Sequence, residues 1–238
     1  MKFNFYLLVI SLFLFLTSCE TEHKITFKEI EILVEGNSIV NVNIPKAEGD
    51  SELSNNINNA IIHNISQSLN FGEENLNSEK SLEDQILVFN NEYNSFKKDF
   101  PDSAQEWEAQ IDGDLMYQSE EIISIAISSY LNTGGAHGIL TISFLNFDAE
   151  TGLKVENNTL FSDIEALKTI AKSYFNEFIK ENNSVVFDPD KFSLPQNVGF
   201  EEEGIVMLYN VYEVSPYASG IIQFTIPYDE ISSYLNYN

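Results

Sequence analysis

Between residues 51 and 128 the apolar residues change their spacing from three and four to two. From Ser51 to Leu69, Leu53, Ile57, Ala60, Ile61 and Ile65 recur at three- and four-residue steps, which puts them on one face of a helix. From Ser81 to Asp99 the same stripe is drawn by Leu82, Ile86, Phe89, Tyr93 and Phe96, and Phe100-Pro101-Asp102 ends it. Then Ile123, Ile125 and Ile127 alternate with Ser124, Ala126 and Ser128, the period of a strand. Helix runs and strand runs must therefore sit in separate stretches of the chain, which is the mark of an α+β fold.

The flanking sequence extends this order. Ile25 to Val34 is rich in β-branched residues, and Val40, Val42 and Ile44 alternate with Asn41 and Asn43. Gly36-Asn37 between these runs predicts a tight turn. Trp107 to Tyr117 and Ile139 to Phe147 read as strands on either side of the Ile123 run, the latter ending at the turn-forming Asp148-Ala149-Glu150-Thr151-Gly152. These three predict an antiparallel meander. A third helix is expected from about Asp163 to Lys180, with Ile164, Leu167, Ala171, Tyr174 and Phe178 as its apolar stripe. Ser81-x-x-Asp84 and Ser162-x-x-Glu165 read as capping boxes at two helix starts. Segments 71–80 and 181–200 read as loops. Strands follow at Ile205 to Val211 and Ile221 to Ile226, and Pro227 opens a short terminal helix. The expected fold is α+β, with a mainly antiparallel sheet, about three main helices packed on it and a short C-terminal helix.

Residues 1–18 read as an address rather than as structure. Lys2 precedes an apolar run from Phe5 to Leu16, broken only by Ser11, and Leu16-Thr17-Ser18-Cys19 follows. A basic start before an apolar stretch of about 7–15 residues is a secretory signal. The Leu-x-Ser-Cys ending resembles the bacterial lipobox, which implies cleavage before Cys19 and lipidation of its thiol. The bland alternative is an ordinary signal peptide that happens to contain a cysteine. The expected organisation is a signal peptide at 1–18, a lipidated Cys19 with a tether to residue 24, and one domain over 25–238, with a subdivision near 100–160 left open. The expected location is the cell envelope, extracytoplasmic and lipid-anchored, on the outer membrane in a Gram-negative cell. Cys19 is the sole cysteine, so no disulfide is available.

Charge excludes one large class of partner. All twelve basic residues are lysine, against 37 acids, for a formal net charge of −25. Nucleic-acid binding needs a basic footprint. Two readings of the acidity stand: solubility by mutual repulsion, or attraction of a cationic partner. His23, His63 and His137 are scattered, with no metal-ligand spacing of the H-E-x-x-H kind, so neither a metal nor a cofactor is expected.

Two segments are more distinctive than any period. One is Tyr130-Leu131-Asn132-Thr133-Gly134-Gly135-Ala136-His137-Gly138. The other is Tyr212-Glu213-Val214-Ser215-Pro216-Tyr217-Ala218-Ser219-Gly220, followed by Phe224-Thr225-Ile226-Pro227-Tyr228-Asp229-Glu230-Ile231. In this order they resemble the extracytoplasmic domain of unknown function shared by RsiV-type anti-sigma factors and the N-terminal region of PdaC-type peptidoglycan deacetylases. The resemblance implies an α+β domain facing the cell envelope, and a lysozyme-like cationic protein or peptidoglycan as ligand. The chain is expected to carry neither the sigma-factor-holding tail of RsiV-type proteins nor the catalytic domain of PdaC-type enzymes, so a non-catalytic binding role is what transfers.

The candidate binding or structural motif is Gly134, Gly135, His137, Gly138, Pro216, Tyr217 and Gly220. His137 sits among glycines, where backbone approaches closely. It either bonds neighbouring backbone in a special turn or faces a ligand. A catalytic role, in a cell-wall glycan-acting enzyme, needs a carboxylate to orient it, and no spacing nominates one. The glycines lack the Lys and Ser/Thr of a phosphate-binding loop. Tyr217 either packs inward or faces a ligand, its ring being apolar and its tip polar. Glu201-Glu202-Glu203 reads as a solvated charge run.

Overall fold

The computed structural model describes residues 25–70 and 81–237. Residues 1–24, expected to hold a signal peptide, Cys19 and a tether, and residues 71–80, expected as a loop, lie outside the described residues. The chain is α+β, with a six-stranded mixed sheet and a three-stranded antiparallel sheet. In the first, β1 (Ile25–Glu31) to β6 (Lys154–Val155) lie in sequence order, with β2 (Val40–Gly49), β3 (Glu108–Gln118), β4 (Ile122–Asn132) and β5 (Ile139–Asp148) between them. Only β2 and β3 are parallel. A parallel neighbour needs a long crossover, and here it carries α1 (Ser51–Ser68) and α2 (Leu82–Asp99). The turn at Gly36 forms as expected, with φ +85° and Asn37 N–H donating to the Val34 carbonyl at 3.2 Å.

The stripes of both helices do what their spacing predicts. Ile57, Ile61 and Ile65 of α1 and Leu82, Ile86 and Phe89 of α2 are buried against Val42, Ile44, Ile111, Ile123, Ile125 and Ile127 of the sheet. The other face of β4 is covered as well. Ser124 and Ala126 are buried, and their small side chains let the second sheet approach. That sheet is β7 (Asn197–Phe200), β8 (Gly204–Tyr209) and β9 (Ile222–Pro227). Phe200 N–H donates to Ser124 Oγ at 3.1 Å, Asn146 Nδ2 donates to the Val198 carbonyl at 2.7 Å, and Gly199 lies against the Phe144 ring. The second sheet's far side packs on α3 (Ile164–Glu181) and the short α4 (Tyr228–Ile231) through Leu167, Ala171, Met207, Ile226 and Ile231. Tyr174 of α3 donates to the Glu230 carboxylate at 2.7 Å. That bond, then partial burial and neighbouring acids, holds the phenol up at about 12.

Two expectations need correction. Residues 197–200 are strand β7 rather than the end of a loop; four residues are too few to show a period. The helix expected to start on a Ser162 capping box is capped by Asp163, whose carboxylate accepts from Glu165 N–H at 3.1 Å and Ala166 N–H at 3.0 Å. Ser162 Oγ instead donates to the Tyr234 carbonyl at 3.1 Å. Ser81 does cap α2, accepting from Asp84 N–H at 3.2 Å. Asp163→Ala is therefore expected to lower stability by about 1 kcal/mol in urea denaturation. Ser162→Ala should cost less; the reverse order would mean the cap is misassigned.

Candidate functional site

The two distinctive segments become the connections β4–β5 and β8–β9. Because the sheets carrying them pack face to face, the connections meet. The His137 and Tyr217 rings stack with centroids 3.7 Å apart and planes 18° from parallel. Both rings bond one atom. Tyr217 OH donates to the Gly138 carbonyl at 3.2 Å, and His137 Nδ1 lies 3.1 Å from the same oxygen. A carbonyl only accepts, so this contact keeps a proton on Nδ1.

The glycines have unequal reasons. A Cβ on buried Gly138 would sit 2.4 Å from the Tyr130 ring. Gly134 has φ +82°, a Cβ there would meet the Gln105 side chain at 2.8 Å, and its N–H donates to Asn132 Oδ1 at 3.1 Å. Gly135 has no neighbour closer than ordinary contact. Across the stack, Pro216 (φ −67°) leads into a 3₁₀ turn over Tyr217–Ser219, and Gly220 (φ +70°) closes it by donating to the Tyr217 carbonyl at 3.0 Å. All seven candidate residues thus fall in two adjoining loops, with His137 and Tyr217 in direct contact.

Three residues that spacing did not nominate hold the site together. Asn210 bonds the β5 backbone twice: its Oδ1 accepts from Ile142 N–H at 2.9 Å and its Nδ2 donates to the Ile142 carbonyl at 2.8 Å. Glu213 accepts from Gln196 N–H at 2.8 Å and Asn210 N–H at 3.0 Å. With burial as the larger cause, this carboxylate pushes the Tyr209 phenol up. Tyr212 is the third. Its φ of +68° is a left-handed conformation that costs a bulky residue roughly 1–3 kcal/mol. It is held there by Tyr212 N–H donating to the Ser215 carbonyl at 3.0 Å. Its ring lies 5.9 Å from Tyr217. The signal that could have found them is their place inside the distinctive segment or, for Asn210, two residues before it.

The result is an open face of three rings. Tyr212 is 52% and Tyr217 37% exposed, and His137 is exposed beside them. Such a face can stack on an apolar or planar group or take a cation. Among the described residues no cluster of His, Cys, Asp and Glu is placed to hold a metal, and no helix is long and apolar enough to cross a membrane. Glu201-Glu202-Glu203 forms the β7–β8 turn, where Glu201 N–H donates to the Gly204 carbonyl at 3.0 Å.

Comparison with known proteins places both loops. Residues 34–140 match the family model described as deacetylase PdaC. Residues 155–229 match the model described as a protein of unknown function, DUF3298. Two solved structures share the fold. A DUF3298 family protein from Pseudomonas aeruginosa PAO1 has a TM-score of 0.58 at 19% identity, covering 89% of this chain and 94% of its own. A DUF3298 family member from Bacteroides fragilis NCTC 9343 has a TM-score of 0.60 at 20% identity, with the same coverages of 89% and 94%. No curated protein matches the chain. His137 lies in the PdaC segment and Tyr217 in the DUF3298 segment, so the ring face is made by both. The chain thus carries a PdaC-like segment over residues 34–140 and a DUF3298-like segment over residues 155–229, in a fold shared with DUF3298 family proteins.

Proposed function

We propose that this chain is a lipid-anchored protein of the bacterial cell envelope, tethered through Cys19, whose domain binds a cationic protein of the lysozyme type on the ring face of Tyr212, His137 and Tyr217. The observation that carries this is the backbone of Tyr212. A strained conformation that keeps a large ring half in solvent does not serve packing, and such strain collects at ligand contacts. Tyrosines dominate binding energy at protein interfaces, and Lys or Arg over a Tyr face gains cation–π attraction. The net charge of −25 attracts a basic partner to the protein and repels an acidic polymer such as peptidoglycan. A glycan-acting enzyme with His137 as base is the weaker reading, because the ring nitrogen that a carboxylate would orient faces the Gly138 carbonyl instead.

Calorimetry with lysozyme at low and at physiological salt tests this. Binding is expected at low salt and should weaken as salt rises. Tyr217→Ala should weaken it about thirtyfold, the effect of an interface anchor of about 2 kcal/mol, measured well below the variant's melting temperature, because the stack on His137 and the bond to Gly138 are lost with it. Absence of binding at low salt, or equal affinity for the variant, would remove the proposal.

A further inference from the structure

The two ends of the six-stranded sheet carry different things. Ile25, the first described residue, sits at one end. It pairs with Gly49 at the close of β2, and its carbonyl accepts from Gln118 Nε2 at 3.0 Å. Gln118 pairs with Ile123, and β4 runs from there to Asn132, which pairs with Glu108 at the other end. From Ile123 to Asn132 is about 30 Å of strand. The loop with His137 lies beyond Asn132, and the β8–β9 connection stacks on it through Tyr217. The ring face therefore occupies the end opposite the point where the chain enters the domain. Exposed apolar groups gather there too. Val185 and Phe187 are 63% and 60% exposed. Val185 N–H donates to Ser219 Oγ at 3.3 Å and Phe187 N–H to the Val214 carbonyl at 2.9 Å, so both widen the face made by Tyr212 and Tyr217. A contiguous exposed apolar face marks an interaction surface. At the entry end stand Glu48, Asp50, Glu120 and Glu150 instead, all exposed.

From Cys19 to Ile25 the chain spans at most about 20 Å fully extended. With Cys19 held at the lipid headgroups, as proposed above and as this placement requires, Ile25 stays within that distance of the membrane. Turning the ring face onto the lipid would lift Ile25 about 30 Å clear of it, farther than the tether reaches. The domain can tilt but cannot invert. We propose that the ring face, widened by Val185 and Phe187, is an outward-facing docking surface for a basic macromolecule arriving from the side away from the anchoring membrane, and that lipid of this membrane is not its ligand. The apolar width of the face fits a partner with an apolar centre inside its basic surface, the usual anatomy of a protein interface.

Energy transfer on the whole lipidated protein in vesicles tests the direction. With Cys19 acylated, one added cysteine is the sole free thiol for a donor dye. Gly135→Cys and Val185→Cys report the ring end, and Glu120→Cys and Glu150→Cys the entry end; all four positions are exposed, so the core is left intact. Transfer to an acceptor on the lipid headgroups should be severalfold more efficient from the entry end. Val185→Ser and Phe187→Ser should each weaken lysozyme binding severalfold in calorimetry, with the melting temperature unmoved. Protein left in the aqueous phase would remove the Cys19 anchor, and a parent that does not bind lysozyme would remove the cationic partner; either takes the outward docking surface with it. Vesicle-bound protein with equal transfer from both ends or more from the ring end, or lysozyme affinity unchanged in both serine variants, would overturn the outward docking surface alone.

Discussion

Replacing Gly199 by valine is expected to destabilise the protein by about 3 kcal/mol and to abolish binding at the ring face. A Cβ at this position would lie 2.4, 2.7 and 2.8 Å from three atoms of the Phe144 ring. The ring cannot swing clear, because Phe144 is packed with Ala126, Val206 and Leu208 between the sheets. The added atoms would push β7 off β5, straining the Phe200–Ser124 and Asn146–Val198 hydrogen bonds together. For a chain of this size the melting temperature should fall by roughly 6–12 °C. The loops bearing His137 and Tyr217 ride on these two sheets, so the stack should open as well. Gly135→Ala, where space is available, is the matched control and should be neutral. A Gly199→Val protein melting within roughly 2 °C of the parent would show that the sheet contact yields easily.

Cys19→Ala is expected to move the protein from the membrane fraction to the aqueous phase. Each buried CH₂ of an acyl chain contributes about 0.8 kcal/mol, and two or more chains make anchoring stable. Alanine leaves no thiol to take a lipid. Detergent phase partition and the intact mass of the mature N-terminus report this directly. The variant domain should keep its melting temperature and its affinity for lysozyme. If the variant stayed with the membrane and the parent carried no added lipid mass, the lipobox assignment would fall.

The stripes of α1, α2 and α3 were legible because helix burial repeats every turn. The central meander was legible because Ile123, Ile125 and Ile127 alternate with small residues. What the alternation did not disclose is that Ser124 and Ala126 face another sheet rather than water. Small residues suit solvent and close approach equally, and only the tertiary partner decides. The parallel β2–β3 pairing leaves no local trace, since the residues it pairs are separated by two helices. The candidate residues were legible as glycine- and tyrosine-containing turns. Their contact was not, because the stack of His137 on Tyr217 depends on how two sheets pack. Asp163 beat Ser162 as a cap by one position, a difference that spacing rules do not resolve.

The double hydrogen bond from Asn210 to Ile142 does more than place a loop. Strand β6 covers only Asn146 and Phe147 of β5, so the remainder of that border has no strand beside it among the described residues. A bare border of this kind is a template on which another chain can add itself. Asn210 offers the donor and acceptor that an intruding strand would offer, and offers them first. One carboxamide therefore acts as a single-residue strand, taking up the backbone pair of Ile142 that an added strand would otherwise use.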